Sequence, residues 1–417
     1  MRHSFVRPRS VRLRLRAAAA AILVVSAVAT AGCGSDSTAA EDDSVDLHGL
    51  DTGSYATRPV AYTAADATVA ARNAESLRLG NAMPLPMDID PALTHNLQVL
   101  HPFPNMSDVL EDGINGRRSA FGWLDDTAFA ANPPGFTAGF EAAARSNADH
   151  NLGYQLTDVV MTFDSDSDAA AAATTYAANG FQDLGSGKGE PAQSSSHPTA
   201  ALIWLPDSQF LTAFYPSGQY LILTMADDYE NHEETISDLP DLIAKSDKAI
   251  EVTVDRLRSF RPTPSDQLTA LPLDPQGILR LALPRPDGDT TADAFDGTLD
   301  AHGALQTELD PTLSHASFDR DGVDAVSYGA GILYRTRDSA AAKDLVLASA
   351  DRFFRRIDSP AGLPNARCVK YHGPDVRMFP FVCSVTYGRY VAEMWSRQQQ
   401  DVFQRISAQY AMLANNK

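Results

Sequence analysis

Residues 210–225 read FLTAFYPSGQYLILTM, and this stretch predicts two strands joined by a tight turn. Apolar and β-branched residues fill 210–215 and 219–225, and the intervening Pro-Ser-Gly is typical of a turn. A matching stretch, PFVCSVTYGRYVAEMW, lies 170 residues later at 380–395. The chain is therefore predicted to contain the same antiparallel hairpin twice.

The sequence around each hairpin also repeats. In the first copy a strand at 156–163 precedes a helix from about 164 to 178, which is acidic at its start and then alanine-rich, and a further strand covers 200–205. In the second copy the elements are a strand at 325–334, a helix from Asp338 to about Arg356, and strands at 368–371 and 378–386. We expect a duplicated α+β unit, each copy an antiparallel sheet packed with helices. Chance resemblance is the alternative.

A short motif lies upstream of each helix. The hexad DPALTH at 90–95 resembles DPTLSH at 310–315, but the first lies about 50 residues further from its helix. An insertion of that size is therefore predicted within 96–150.

Domain bounds follow from these repeats and from the length of the chain. We expect an N-terminal α+β domain at 50–260, a linker at 261–277 and a C-terminal α+β domain at 278–417. The linker is predicted from four prolines, which are Pro262, Pro264, Pro272 and Pro275. One apolar helical face is predicted after Gln398, formed by Val402, Phe403, Ile406, Tyr410 and Leu413.

The N-terminus predicts export and a lipid anchor. Six arginines precede the apolar run Ala17–Ala29, as in a signal peptide, here residues 1–32. Thr30-Ala31-Gly32-Cys33 resembles the bacterial lipobox, so we expect acylation of Cys33 and attachment to the extracytoplasmic face of the cell membrane. Ordinary secretion, with Cys33 as a free thiol, is the alternative. Polar and acidic sequence then predicts a flexible tether over 33–49.

The net charge of the chain argues against polyanionic partners. Without the six leader arginines, 28 basic residues remain against 53 acidic ones, a formal charge of −25. Such a chain is expected to be repelled by nucleic acid and by anionic headgroups. The lipid anchor is the expected contact with the membrane.

Cys368 and Cys383 remain once Cys33 is assigned to lipid, and an oxidising compartment favours a disulfide between them. Closing a loop of about 15 residues would contribute about 3 kcal/mol. Two free thiols, or half of a metal site, are the alternative. The 170-residue offset places Pro198 and Ala213 at the matching positions of the first copy.

Several motifs together resemble a known family. They are the lipobox, the LDTGSY opening at 50–55, the hexad and the C-terminal cysteine pair. They resemble an actinobacterial cell-envelope lipoprotein family catalogued as a domain of unknown function, over most of the mature chain. The resemblance implies the location and the two-part architecture, and no active site. The element order is more distantly similar to extracellular sensor domains of mycobacterial receptor kinases, which implies a sensing role.

No catalytic, cofactor-binding or metal-binding residue is predicted. Asp164–Asp168 lacks the glycine and glutamate of a calcium loop, and Gly185–Gly189 departs from a phosphate loop. His232 lacks the second histidine of a zincin helix. His95 and His315 recur in the hexads, where a repeated turn or helix-start contact is the favoured interpretation.

The favoured function is a non-enzymatic binding, scaffolding or sensing module of the cell envelope. A carrier of an apolar envelope lipid is one alternative, and an unrecognised extracytoplasmic hydrolase is another.

Overall fold

A computed structural model describes most of the chain after residue 44. The described ranges are 45–61, 67–97, 102–109, 131–149, 151–179, 189–289, 295–346, 353–374 and 379–416. The predicted signal peptide, Cys33 and the tether up to residue 44 lie outside them. Within these ranges, no helix combines the length and the apolar composition that a membrane span requires.

The first sheet contains eight strands within the described ranges, in the order β1-β3-β4-β8-β7-β6-β5 with β2 paired to β3. Every pairing is antiparallel. The strands are β1 (His95–Asn96), β2 (Pro102–Phe103), β3 (Phe136–Arg145), β4 (Tyr154–Phe163), β5 (Glu190–Ala192), β6 (Ala201–Leu205), β7 (Phe210–Ser217) and β8 (Tyr220–Asp228).

The second sheet has seven strands in the described residues, again all antiparallel, in the order β12-β13-β14-β15-β11-β10-β9. They are β9 (Gly297–Asp300), β10 (Ala325–Tyr328), β11 (Ile332–Arg335), β12 (Phe354–Ile357), β13 (Arg367–Tyr371), β14 (Phe381–Tyr387) and β15 (Tyr390–Ser396).

The described helices cover the two faces of these sheets. They are α1 (Ala67–Ala82), α2 (Pro86–Ile89), α3 (Asp166–Asn179), α4 (Tyr229–Glu233), α5 (Leu239–Leu257), α6 (Ala301–Ala304), α7 (Pro311–Asp321), α8 (Ser339–Leu345) and α9 (Gln399–Ala414). In the first unit α1 and α5 pack on one face and α3 on the other. In the second unit α9 packs on one face, and α7 and α8 on the other. Because both faces are covered, strands such as β8 are buried almost throughout.

The order of the strands confirms the duplicated α+β architecture. Reading across the sheets, β1-β3-β4-β8-β7-β6-β5 corresponds to β9-β10-β11-β15-β14-β13-β12. Helices α3 and α8 follow β4 and β11, and helices α5 and α9 follow β8 and β15. The two hairpins quoted from the sequence are β7–β8 and β14–β15, which occupy the same place in each sheet.

Two element predictions in the second copy are wrong. The strand predicted at 325–334 is two strands, because Gly329 and Gly331 reverse the chain between β10 and β11. A Cβ at Gly331 would lie 2.3 Å from the carbonyl oxygen of Glu393, so the turn needs glycine. The helix predicted to reach Arg356 ends at Leu345, and β12 covers 354–357, where it pairs with β13.

The hexads are not equivalent. DPALTH forms a turn immediately before β1, whereas DPTLSH begins α7, and Asp310 accepts a hydrogen bond from the Leu313 amide. In sheet order β1 corresponds to β9, yet β1 follows its hexad and β9 precedes its own. Strand β3 lies inside the predicted insertion and is the counterpart of β10, so the insertion is shorter than predicted.

Helix α1 joins the two units, which belong to one compact body beginning at residue 42. Leu79 and Met83 enter the core of the first unit, and Leu77 enters that of the second. The Asp300 amide donates to the side-chain oxygen of Asn81 at 3.0 Å. A Cβ at Gly297 would lie 2.2 Å from a methyl of Leu77, which shows how closely the units approach along α1.

Candidate functional site

The start of α5 presents an ion pair to one end of the first sheet. Asp238 caps the helix by accepting from the Asp241 amide at 3.2 Å. One turn later, the Lys245 ammonium contacts the carboxylate of Asp241 and lies 3.9 Å from that of Asp228, at the end of β8. It also stacks 4.5 Å from the ring centre of Tyr154, at the start of β4.

A cleft of about 220 Å³ opens beside this pair. It is lined by Ile89, Asp90, Tyr154, Leu156, Ala244, Lys245 and Lys248. The Tyr154 hydroxyl donates to Asp90 at 2.5 Å. Burial, and then the hydrogen bond to Asp90, raise the pKa of Tyr154, so its hydroxyl remains a donor. Asp90 belongs to the first hexad, and its place here accounts for that motif through a turn contact.

The cleft combines an apolar floor with charges of both signs at its rim. Its volume is below the roughly 300–1,000 Å³ of a typical small-molecule site. Ammonium groups donate hydrogen bonds and Asp90 accepts them. In the described residues no group of three histidine, cysteine or acidic side chains is placed to hold a metal ion.

The opposite face at this end of the sheet carries a second polar cluster. The side-chain oxygen of Gln155 accepts from Arg145 Nε at 3.1 Å and from the Tyr229 hydroxyl at 3.0 Å. Burial raises the pKa of Asp227 to about 7, while Tyr229, His232 and Arg145 oppose that shift. These contacts close the end of the sheet under α4.

The second unit repeats the ion pair on α9. Asp401 and Arg405 follow the start of their helix as Asp241 and Lys245 follow theirs, at an offset of 160 residues. The offset falls from 170 by ten because β8 is two residues longer than β15, and because ten residues (229–238) separate β8 from α5 whereas two (397–398) separate β15 from α9. Arg405 Nε lies 2.9 Å from Asp401 and its Nη1 lies 2.7 Å from Asp289, with 5% of the arginine side chain exposed.

Residues 45–61, here called the strap, cover this second ion pair. The Tyr55 hydroxyl donates to Asp401 at 2.6 Å, and the Arg405 guanidinium lies 5.5 Å from the Tyr55 ring centre. Asp51 accepts from the side-chain amide of Gln404 at 3.0 Å. Leu50 is buried in the core of the second unit.

The LDTGSY motif at 50–55 is thus a docking element for α9. Gly53 has φ +52°, a left-handed backbone conformation that favours glycine, and the end of the Gln404 side chain packs against it. Packing of Val45 and Leu47 on the same core begins within the segment predicted as tether.

The outer face of α9 is buried, whereas the outer face of α5 is exposed. Ala408 and Ala411 on α9 are 0% and 2% exposed. The matching residues on α5, Lys248 and Glu251, have 53% and 62% of their side chains exposed. The position that the strap covers in the second unit is therefore an open cleft in the first.

The cysteine pair has the predicted role. Cys368 and Cys383 lie directly opposite one another on β13 and β14, both fully buried, and form a disulfide. The matching pair in the first unit is Leu202 and Ala213, not Pro198 and Ala213. The offset of 170 fails there because β6 begins four residues late relative to β13.

The histidines of the two hexads make different contacts. His95 is paired with Arg145 at the edge of the first sheet. His315 is half-exposed on α7, where its Nδ1 lies 3.2 Å from Asp319 of the next turn. The acidic run at 164–168 begins α3, where Ser165 accepts from the Asp168 amide at 3.2 Å.

Sequence reasoning missed Tyr154 and Lys245. A signal was present, because DLIAK at 241–245 resembles DVFQR at 401–405. These two segments are 160 residues apart, so the 170-residue offset of the hairpins does not align them.

Two adjacent family models match the chain. Residues 62–273 match the N-terminal part, and residues 278–416 the C-terminal part, of the domain of unknown function DUF7373. No curated protein matches the chain. No solved structure matches it either.

Proposed function

The chain belongs to the DUF7373 family of domains of unknown function, and on that premise we propose that it is a lipid-anchored, non-enzymatic binding module of the cell envelope. Its ligand is a short polypeptide segment, held in the cleft beside Lys245. One observation carries this proposal: the ion pair on α9 is covered by residues 45–61 of the chain itself, and its counterpart on α5 lines an open cleft.

The strap shows which contacts such a site makes. It supplies a hydroxyl to Asp401, an aromatic ring to Arg405 and a carboxylate to Gln404. It also supplies the carbonyl of Thr57 to the side-chain amide of Asn415 at 2.8 Å. Contacts spaced along one helix are typical of peptide recognition, in which a few anchoring side chains supply most of the affinity.

The cleft in the first unit retains the base, its acidic partner and an apolar floor. Ala244 takes the place of Gln404, which removes a bulky side chain and leaves space for a ligand. The exposed Lys248 ammonium adds a donor at the rim. We therefore expect a bound segment to place a hydrogen-bonding side chain between Lys248 and the floor.

Peptide selection tests the proposal. A displayed library of random peptides is panned against the mature protein, and selected peptides are titrated by calorimetry against wild type, Ala244→Trp and a control, Ala170→Trp. Both alanines are exposed on helices, so neither change is expected to unfold the chain. The cleft variant should lose affinity by at least about tenfold, because the indole fills the anchoring pocket. Equal affinity for the two variants, or no selected peptide, would contradict the proposal.

Mass spectrometry of the mature protein tests the proposed lipid anchor. Protein extracted from membranes should begin at Cys33 and carry the mass of acyl chains, and Cys33→Ala should release it into the medium. An unacylated mature chain would overturn the anchor without bearing on the cleft.

The non-enzymatic role has its own test. Purified mature protein is incubated with cell-wall, lipid and peptide substrates. Turnover that disappears on a single substitution would establish the hydrolase alternative instead.

A further inference from the structure

One end of the second sheet is basic and aromatic in an acidic protein. Within 351–397 the sequence has eight basic and four acidic residues, although the mature chain carries −25. The described part of this end, here called the basic edge, comprises Arg355, Lys370, Phe379, Phe381, Trp395 and Arg397.

The strand register brings Arg355, Lys370 and Phe381 together on one face of the sheet, whereas Trp395 is opposite Val382 and lies on the other face. β12 is the outermost strand, and its Arg355 lies directly opposite Lys370 of β13. Lys370 is in turn opposite Phe381 of β14, and its ammonium lies 5.2 Å from that ring centre. Arg397, just after β15, has its guanidinium 5.0 Å from the ring centre of Phe379.

The aromatic residues of the basic edge are only partly covered. Phe379, Phe381 and Trp395 each retain some exposure, while Arg355 and Arg397 are exposed. Phe379 and Trp395 lie 6.5 Å apart between ring centres.

We propose that the basic edge rests on the anionic surface of a lipid bilayer. Net charge predicts repulsion from anionic headgroups, but attraction at a surface is local and falls off within a Debye length of roughly 8 Å. Basic side chains bind headgroup phosphates, and partly exposed aromatic rings are favoured at the level of the headgroups.

The path of the chain supports this orientation, and this step rests on the proposed lipid anchor. The described chain begins at Val45, in the strap that docks on the second unit. From Cys33 to Val45 an extended chain spans at most about 40 Å. The anchor therefore joins the folded body at the second unit.

Vesicle binding tests the proposal without the anchor. The mature chain carrying Cys33→Ser is sedimented with phosphatidylcholine vesicles, with and without one third phosphatidylglycerol, at low and physiological salt. Arg355→Gln/Arg397→Gln is compared with Arg256→Gln/Arg258→Gln, which removes the same charge from exposed positions at the end of α5. Circular dichroism and thermal unfolding verify that all variants fold.

Wild type should bind the anionic vesicles and release them as salt rises. The edge variant should bind at least about tenfold more weakly, and the control should match wild type. No binding to anionic vesicles, or equal loss in both variants, would overturn the proposal. So would binding to polyglutamate in place of vesicles, since the partner would then be an acidic polypeptide. Failure of the anchor alone would show as a missing acyl mass with vesicle binding intact.

Discussion

Helices α5 and α9 hold the same ion pair in two environments. Lys245 and Arg405 each follow an aspartate by one turn, and each lies against a tyrosine ring. Arg405 is sealed by the strap, whereas Lys245 borders an open cleft. The duplicated unit has thus retained one electrostatic motif while changing what covers it.

The residue type matches each environment. The guanidinium of Arg405 reaches Asp289, Asp401 and the carbonyl of Ala330, the last at 3.2 Å, and five donors suit a buried position with several acceptors. The ammonium of Lys245 is compact and keeps 18% of its side chain exposed.

The largest expected effect comes from Arg405→Ala. It leaves Asp289 and Asp401 without their charge partner, and breaking a buried pair costs about 3–5 kcal/mol. Lys245→Ala should cost about 1 kcal/mol or less because 43% of the Asp241 side chain is exposed, so solvent screens this pair. Urea unfolding of both variants measures the difference. Similar losses would show that the two environments are equivalent.

Removal of the disulfide should have the next largest effect. Cys368→Ala/Cys383→Ala opens a loop of 15 residues and should lower the free energy of unfolding by about 3 kcal/mol. A reducing agent should act similarly on wild type and leave the double variant unchanged. Because Leu202 and Ala213 stand at the matching place, hydrogen exchange should report the loosening mainly in the second sheet.

A smaller effect concerns Asp158, which lies under α5. The extension of β4 over 154–158 that carries it has no counterpart in the second unit, where β11 begins at Ile332. Burial raises the pKa of Asp158 to about 7, although Thr253 donates to its carboxylate at 2.6 Å.

The sign of the pH dependence follows from that shift. The folded protein retains this proton up to about pH 7, and the unfolded chain releases it near pH 4, so the free energy of unfolding falls as pH rises between these values. Asp158→Asn should remove part of the slope and stabilise the protein at pH 8 by on the order of 2 kcal/mol, because relaxation and water entry reduce the burial penalty. Urea unfolding from pH 4 to 8 tests this. A steeper slope in the variant would contradict it.

The smallest expected effect is the difference in stability between Tyr55→Phe and Tyr154→Phe. Tyr55→Phe removes the donor to Asp401 and should cost about 1 kcal/mol. Tyr154→Phe should cost less, because Asp90 is only partly buried and water can replace the hydroxyl. Thermal unfolding of the two variants provides the comparison, and a larger loss for Tyr154→Phe would place the more closed site in the first unit.

Local pattern was enough to predict the hairpins, the alanine-rich helix α3, the helix α9 and the duplication. Alternation along a strand and the helical repeat are read over a few residues, and β7–β8 and β14–β15 obey them. The disulfide followed from cysteine count and compartment. The same reasoning failed at Gly329 and Gly331, because only the approach of Glu393 shows that the chain must turn there.

The sequence by itself determined the two hairpins, the helices α3 and α9 and the duplication, since each segment's own periodicity sets the faces that it buries. The tertiary structure alone decided the candidate site. Tyr55 and Asp401 are 346 positions apart, and Tyr154 and Asp90 are 64 apart. No periodicity links such distant residues, and only the packing of α5 and α9 on their sheets shows that one ion pair is sealed and the other is open.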